Sequence, residues 1–460
     1  MDVTHKLVSF IRSLSYDSLP EEVVSLIKQN FLDFCGNTLA GTGDQSVSKT
    51  IALFEEWGGK PECSVFMRGL KLPAVHAVLL NATMSFAVDF DDTHMRGGHI
   101  GVTVFPPGLA VSEMKGGVSG RDFITAIVAG TELMCRLGTH NALRVPRHIF
   151  GGWEYHALHA PFSTVATAGK LLSLDQETFM NAMGLAYQQA SGTGLAALEH
   201  ADTKTLGTGF GCRNGLTSIF LAQRGLTGAH NILEGDYGMG RMYHNGCDAE
   251  GMVSKLGEDF ELLNMGFKPF ASCRLGHRTL AAVRELIFAH DIKADEVVSV
   301  KIKGSERVVE QLYTPEETTK KPDSRNGAVF SLPWVVSSLL LRRKVGVGEL
   351  SEAALADKSV RELASRVFAE VDKNADPADH AAPMPVVIKT KRGDFETKTQ
   401  PIAPGDRGNR LSQAELEEKF YDNASFCVAD VSKERLASIV RMANSLEQVS
   451  DMREVVGLLS

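Results

Sequence analysis

The chain has 460 residues, of which 43% are hydrophobic and 23% are charged, and its 48 basic and 56 acidic residues give a formal net charge of −8. This composition is typical of a globular protein and excludes an intrinsically disordered chain. The negative charge argues against general binding to nucleic acid. The length predicts two or three domains.

The cysteines and the apolar segments favour a reducing compartment. Seven cysteines occur, and none lies in a CxxC motif, which argues against a disulfide framework and against a cysteine-rich zinc site. Residues 1–14 lack the basic start and unbroken apolar core of a signal peptide. The most apolar run, 329–341, is shorter than the roughly 20 residues that span a bilayer. We therefore predict a soluble, cytoplasmic protein.

The first 266 residues are predicted to be mostly helical. Apolar residues recur at helical spacing in four segments, which are 20–40, 72–92, 104–116 and 120–137. The glycine- and alanine-rich stretch 182–200 fits either closely packed helices or loops, because glycine permits close approach but also breaks helices.

The pattern changes after residue 267, where β-branched residues predict strands at 297–303 and 385–390. Helical patterns also occur in this part, at 274–290, 329–342 and 350–372, and helical spacing resumes after Ser412. We therefore predict a mainly α protein. Its large all-α helical domain comprises 1–266 and 401–460, and a smaller α+β domain is inserted at 267–400.

The densest polar cluster lies between two apolar segments, from Asp89 to His99. A carboxylate beside an imidazole in such a place predicts a general acid–base pair at the mouth of a pocket. A solvated helix-terminal loop explains the same residues. A metal site is a further alternative, and His156 and His159 would add an i, i+3 pair of ligands. Because no HExxH motif and no convincing third ligand occur, we predict no metal.

Lys204 precedes a run of closely spaced glycines. The run resembles a dinucleotide-binding motif, but no strand is predicted before it, so we predict no dinucleotide cofactor. A lysine among small residues indicates a contact to an anion, and a surface lysine is the alternative.

A second basic segment, 267–278, contains Lys268, Cys273, Arg274 and His277. A positive balance within an acidic protein, at the boundary of two predicted domains, favours a pocket for an anionic substrate. The alternative is a solvated basic turn. Cys273 as a nucleophile, with His277 on the same helix face, is a weaker hypothesis because cysteine is usually a small buried hydrophobe.

The order of these motifs resembles the MmgE/PrpD family over nearly the whole chain. The resemblance rests on DFDDTHMRGGH, on the Lys204 segment with LAQRGLTGAHNILEGDYG after it, on KPFASCRLGH and on FSLPWVV. The family includes 2-methylcitrate dehydratase, cis-aconitate decarboxylase and iminodisuccinate epimerase. The resemblance implies that the inserted α+β domain is a lid, that the protein is a homodimer, and that it uses neither a metal nor an organic cofactor.

The resemblance also implies the chemistry, which is removal of a proton next to a carboxylate of a small di- or tricarboxylic acid. We expect a cofactor-independent lyase of the dehydratase type. The alternatives are an epimerase of a dicarboxylate, a metal-dependent hydrolase and a non-catalytic carboxylate-binding protein. The residues that match the family's site are Asp92, Thr93, His99, Lys204 and Lys268, with either His156 or His159.

We expect His99, oriented by Asp92, to move the proton of the substrate α-carbon. Lys204, Lys268 and Arg274 would hold carboxylates, and His156, His159 or His277 would handle a second proton.

Two departures from the family bear on the substrate. Cys273 stands where the decarboxylase has a histidine and the methylcitrate dehydratase an acidic residue, and Trp334 stands where many members have tyrosine. We therefore expect a protein that is not the decarboxylase and need not be the methylcitrate dehydratase, with a carboxylate substrate that differs in size or polarity.

Overall fold

The computed structural model describes residues 3–142, 152–199, 201–244, 246–373, 385–397 and 402–460. The chain divides into two compact units. The first unit comprises Met1–Ala196, Asp202–Met265 and Ser412–Ser460, and the second comprises Ala197–Ala201 and Gly266–Leu411.

Helices dominate the chain up to residue 265. Its described helices are α1 (Val3–Ser13), α2 (Glu21–Gly41), α3 (Gln45–Trp57), α4 (Ala74–Phe86), α5 (Gly101–Lys115), α6 (Gly120–Ala142), α7 (Tyr155–Leu171), α8 (Gln176–Gln188), α9 (Leu195–Leu198), α10 (Thr203–Ala222), α11 (Met239–His244) and α12 (Ala249–Met252). Three short strands also occur here, which are β1 (Cys63–Val65), β2 (Leu70–Leu72) and β3 (Asp92–Thr93), and β1 pairs antiparallel with β2.

The second unit combines helices with a sheet. Its helices are α13 (His277–His290), α14 (Glu306–Leu312), α15 (Glu316–Lys320), α16 (Arg325–Val329), α17 (Leu332–Arg342), α18 (Glu352–Leu355) and α19 (Lys358–Ala364). Its strands are β4 (Gly266–Phe267), β5 (Val297–Gly304), β6 (Val367–Val371), β7 (Val386–Thr390) and β8 (Gly393–Thr397).

Strands β5 to β8 form a four-stranded sheet in the order β6-β5-β7-β8. Strand β5 is parallel to β6, with Val300 opposite Val367, and antiparallel to β7, with Val300 opposite Ile388. Strand β8 completes the sheet as the antiparallel neighbour of β7. Along β5 the buried residues Val297, Val300 and Ile302 form the apolar side of the strand, and α13 packs on β7 and β8.

The C-terminal segment belongs to the first unit and contains α20 (Gln413–Ala424), α21 (Lys433–Asn444) and α22 (Arg453–Leu459). Helix α20 begins at a capping box, in which the Ser412 hydroxyl accepts the Glu415 amide and the Glu415 carboxylate accepts the Ser412 amide. Both α20 and α21 pack on α2. The two ends of the chain therefore share one core.

Close packing of α10 against α4 and α7 brings together the elements that carry the site. Glycines make this approach possible. A Cβ atom at position 209 would lie 2.6 Å from the carbonyl oxygen of Leu79, and one at position 215 would lie 2.5 Å from the carbonyl oxygen of Pro161. Any larger side chain at Gly209 or Gly215 would therefore push the helices apart.

The prediction of a mainly α protein is confirmed, and the predicted helices near 20–40, 104–116 and 120–137 are present as α2, α5 and α6. The predicted helix 350–372 is wrong at its end, because the segment breaks after α19 and continues as strand β6. The stretch 182–200 contains both of the expected alternatives, since α8 ends at Gln188 and only the short α9 follows. No helix within the described ranges is long and apolar enough to cross a bilayer.

Candidate active site

The acidic cluster lies on the turn that follows α4. The carboxylate residues Asp89, Asp91 and Asp92 are all buried in this turn. Asp89 adopts a left-handed backbone conformation with φ of 51°, which is uncommon for a residue with a side chain. The turn therefore places closely spaced carboxylates inside the first unit, each against a different partner.

His99 pairs with Asp91. The Nδ1 atom of His99 lies 2.8 Å from Oδ2 of Asp91, whose side chain is almost fully buried, whereas the imidazole is 16% exposed. A buried carboxylate on one ring nitrogen fixes the orientation and the tautomer of the imidazole, as general acid–base catalysis requires. This arrangement is that of an oriented general base.

The expectation that Asp92 orients His99 is wrong. Asp92 instead accepts hydrogen bonds from the backbone amides of Ile100 at 3.2 Å and Gly101 at 2.9 Å, at the start of α5. Burial, with further contributions from the neighbouring carboxylates of Asp91 and Asp33, raises the pKa of Asp92 well above its ordinary value. Asp92 therefore fixes the helix start that follows His99, which is a structural contact of about 1 kcal/mol.

Lys204 forms a buried ion pair with Asp89. It lies in the first turn of α10, its ammonium contacts an Asp89 carboxylate oxygen, and its Nζ is 4.1 Å from the centroid of the Phe86 ring. Burial alone would lower the pKa of Lys204, but the Asp89 carboxylate outweighs burial and raises it. The raised pKa favours the charged ammonium, which lies beside the Asp89 carboxylate and the Phe86 ring.

His156 completes this group of side chains. The rings of Phe86, His99 and His156 meet pairwise, edge to face, with each pair of centroids 4.8 Å apart. The Nε2 atom of His156 lies 3.3 Å from Oε1 of Glu154. Burial acts to raise the pKa of Glu154, but the nearby His156 and Lys204 outweigh burial and lower it. The Glu154 carboxyl is therefore held ionised. The structure therefore brings His156, rather than His159, to His99.

His159 belongs to a second aromatic cluster. Its ring stacks on Tyr155 with centroids 5.5 Å apart, and it lies 5.6 Å from the ring of His244. Burial lowers the pKa of both imidazoles, that of His159 well below its ordinary value and that of His244 to about 4. Among the described residues, neither ring finds a hydrogen-bond partner. Both histidines are therefore neutral.

His94, which was predicted only as part of the cluster, shapes the loop that leads to His99. Its backbone amide and carbonyl pair with those of Gly98, and its Nδ1 accepts the Gly97 amide at 2.8 Å. The tautomer that accepts at Nδ1 carries its proton on Nε2, which lies 3.4 Å from Glu261. Thr93 is also buried, in β3.

Within the described part of the chain, three side chains of this turn have donor atoms close enough together to bind a metal ion. One donor atom from each of Asp89, Asp91 and His99 lies within 4.8 Å of the others. The Lys204 ammonium already contacts Asp89 and supplies positive charge at this point. A divalent ion would have to compete with that ammonium for Asp89, which disfavours a metal at these donors. The absence of a metal and of an organic cofactor stays a prediction.

The remaining predicted residues lie in the second unit. Lys268 is fully buried, Arg274 pairs with Asp406, and the His277 Nε2 atom lies 3.1 Å from the carbonyl oxygen of Ser272. Cys273 precedes a short 3-10 helix, and α13 begins only at His277. The expected shared helix face of Cys273 and His277 is therefore wrong, and the contacts of these residues with a substrate stay predictions.

Trp334 lies in the core of the second unit. It is fully buried in α17, and its indole Nε1 donates to the carbonyl oxygen of Glu349 at 3.2 Å. These contacts within the second unit are those of a core residue.

Three residues of the first unit's site were not selected from the sequence, which are Asp89, Asp91 and Glu154. Asp89 and Asp91 lie within the motif DFDDTHMRGGH, where the acidic residue type is the sequence signal that marks them as candidates. Which of the acids faces the histidine depends on the left-handed conformation of Asp89, which leaves no mark in the residue pattern. Glu154 stands alone before α7, so no motif marks it.

Two family models match the chain. The MmgE/PrpD N-terminal domain matches residues 5–251, and the MmgE/PrpD C-terminal domain matches residues 270–445. The chain belongs to the MmgE/PrpD family. Its curated relatives, described next, are named cis-aconitate decarboxylases, which are lyases, so the MmgE/PrpD protein described here is an enzyme.

Several curated relatives are similar to this MmgE/PrpD chain. A cis-aconitate decarboxylase-like protein of Aspergillus oryzae is 25% identical over a matched region that spans 100% of this chain and 97% of the relative. The cis-aconitate decarboxylase of Mus musculus is 26% identical over 97% of this chain and 92% of its own length. That of Aspergillus terreus is 30% identical over 62% of this chain and 60% of its own length.

Proposed function

We propose that this MmgE/PrpD enzyme is a cofactor-independent lyase of the dehydratase type, which acts on a small di- or tricarboxylic acid. The observation that carries the proposal is the His99–Asp91 hydrogen bond of 2.8 Å, with the Lys204 ammonium and the His156 ring packed against the same Phe86 side chain. An oriented imidazole and a fixed cation are what proton removal next to a carboxylate requires.

In the proposed reaction His99 takes the proton from the substrate α-carbon. The electron pair left on that carbon spreads onto the adjoining carboxylate, where the positive charge of Lys204 stabilises it. An ammonium has three N–H donors, so its contact with Asp89 is compatible with one to the substrate. The hydroxyl on the β-carbon then leaves as water with a proton from His156, and a carbon–carbon double bond forms.

The substrate is proposed to be a polycarboxylate. The relatives named cis-aconitate decarboxylase support a small anionic acid of this class, and cis-aconitate itself belongs in the test panel. Lys268, Cys273, Arg274, His277 and Thr93 stay proposed substrate contacts from the resemblance. The role of residues 267–400 as a lid domain is likewise a proposal, as is the homodimer. The cytoplasmic location expected from the sequence is likewise a proposal.

An epimerase is the second candidate, and the pairing of His99 with His156 favours it. Their rings are 4.8 Å apart and nearly perpendicular, so one imidazole could remove a proton and the other return one. The two reactions differ in product, because only the lyase forms an α,β-unsaturated acid. Because the named relatives are enzymes, the non-catalytic alternative is not kept.

The test is incubation of the wild-type enzyme with a panel of di- and tricarboxylates, including hydroxy acids and cis-aconitate, followed by ultraviolet absorbance and NMR of the product. A new conjugated alkene that His99→Gln does not form supports the lyase. A stereoisomer without a new alkene supports the epimerase instead. Loss of carbon dioxide from cis-aconitate would replace the dehydratase assignment with decarboxylation.

A further inference from the structure

A buried ion pair lies directly behind the acidic turn. Lys419, on α20, has its Nζ 2.6 Å from Oδ1 of Asp33, on α2, and both side chains are almost completely buried. The same ammonium donates a hydrogen bond of 2.5 Å to the backbone carbonyl oxygen of Phe90 and lies 4.0 Å from the centroid of the Phe90 ring. The C-terminal segment therefore reaches the backbone between two site carboxylates.

The position of that carbonyl matters because Phe90 stands between Asp89 and Asp91. The Asp89 carboxylate contacts Lys204, and the Asp91 carboxylate lies 2.8 Å from His99. The left-handed backbone of Asp89, with φ of 51°, is disfavoured for a residue with a side chain and persists only where surrounding contacts hold it. The Lys419 ammonium holds the next peptide group along the chain, which joins Phe90 to Asp91.

Stability alone does not explain such a pair. Burying two charges removes them from water at a cost that often exceeds the gain from their attraction, so an apolar pair of the same volume frequently stabilises a protein equally well. Burial raises the pKa of Asp33 although Lys419 and Asn37 oppose this shift, which reflects the same cost. An apolar pair, however, could not donate a hydrogen bond to the carbonyl of Phe90.

We propose that Lys419 and Asp33 are positioning residues of the active site. Lys419 holds the Phe90 peptide, and Asp33 holds Lys419. Through this peptide they set the directions of the Asp89 and Asp91 carboxylates. The consequence of this role rests on the proposed function, in which Asp91 orients His99 and Asp89 orients Lys204.

Three variants and one control test this proposal. Lys419→Met removes the donor, and Asp33→Leu combined with Lys419→Met removes both charges without leaving one unpaired in the core. Lys419→Arg keeps a charged donor. The control is Lys28→Met, because Lys28 also lies on α2 and pairs with Glu447 of the C-terminal segment at 2.9 Å, so this variant removes another ion pair between the same two parts of the chain.

The first measurement is amide hydrogen exchange of residues 87–99, followed by mass spectrometry, which requires no substrate. We expect exchange in this peptide to be at least about tenfold faster in the double variant, with the rest of the first unit unchanged, because the local contact is lost while the fold is kept. We expect Lys28→Met to leave this peptide unchanged. Wild-type exchange in the folded double variant overturns the proposal.

The second measurement is kcat and KM on a substrate that the wild-type enzyme turns over. We expect the double variant to lose about tenfold to a hundredfold in kcat with little change in KM, because misplaced catalytic groups slow the chemical step. Partial recovery in Lys419→Arg is expected. Wild-type kcat in the double variant overturns the proposal. If the wild-type enzyme turns over no carboxylate, the proposed function fails, and the exchange measurement alone decides whether the ion pair holds the turn.

Discussion

The Nδ1 atom of His99 lies 2.8 Å from the carboxylate of Asp91, which is almost entirely buried. Asp92, the next residue, has its carboxylate on the amides of Ile100 and Gly101 instead. Adjacent acids in one motif therefore have different tasks, since one orients an imidazole and the other fixes the start of α5. Substitution of the two acids by the same residue separates these tasks.

Asp91→Asn and Asp92→Asn are expected to differ in effect. Asp91→Asn removes the charge that orients His99, so we expect kcat to fall about 10²-fold or more. Asp92→Asn keeps an oxygen that can accept a backbone amide, so we expect kcat within about threefold of wild type and a stability loss of about 1 kcal/mol. Steady-state kinetics and urea denaturation of both variants check this. Equal loss of kcat would contradict the division of tasks.

Lys204→Met is expected to abolish charge stabilisation in the site. Because the ammonium is buried against Asp89, its removal leaves that carboxylate without this counter-charge. The charge that develops on the substrate also loses the cation proposed to stabilise it. We expect kcat/KM to fall about 10²-fold or more. Lys204→Met with Asp89→Asn restores neutrality and should recover stability but not activity. Recovery of activity in this double variant would exclude an electrostatic role for Lys204.

The buried pair of His159 and His244 predicts loss of stability in mild acid. Burial lowers the pKa of His244 to about 4 and that of His159 well below its ordinary value. As the pH falls below about 6.5, these histidines bind protons in the unfolded chain but not in the folded chain, so the free energy of unfolding falls.

His244→Phe is expected to remove about 2 kcal/mol of the stability loss between pH 7 and pH 5. Urea denaturation at the two pH values measures it, and the exposed His290 supplies the control His290→Gln. The same pH dependence in His244→Phe and in the wild-type protein would show that this imidazole is not kept neutral by the fold.

Glu261 predicts an effect at lower pH. Burial acts to raise its pKa, but hydrogen bonds with His94 and Thr139 outweigh burial and lower it to about 2. Its contribution to stability is therefore complete above about pH 4.5 and is lost as the pH falls towards 2. Allowing for partial exposure, we expect Glu261→Gln to cost on the order of 1 kcal/mol at pH 7. The cost should shrink below pH 4, and an equal cost at pH 3 would show that these hydrogen bonds do not favour the ionised carboxyl.

The large helices could be predicted from the sequence because each buries an apolar face of regular spacing. Helix α2 starts at the two acids after Pro20, as predicted, and α20 starts after the Ser412 cap. Strands β6 and β8 were missed. Both are mostly exposed, with charged residues along them, so neither shows the apolar alternation that marks a half-buried strand.

The residue types of the site were predictable, but their pairing was not. The sequence placed His99, Lys204 and the acids near one another through their motifs. The direction of each carboxylate depends on the left-handed Asp89, and on the Lys419 contact with Phe90 from a segment 329 positions later in the chain. Such long-range contacts leave no local pattern, which is why Asp92 was chosen in place of Asp91.

In the proposed mechanism, His99 moves a proton at a carbon next to a carboxylate without a metal. The direct measurement is exchange of substrate α-hydrogens with deuterium oxide, followed by NMR, for wild-type enzyme treated with a chelator and for His99→Gln, with His290→Gln as the control. We expect rapid exchange in the wild-type enzyme and in His290→Gln, and a rate at least about 10²-fold lower in His99→Gln. Exchange at the wild-type rate in His99→Gln, or its loss on chelation with recovery on added metal, would contradict the account.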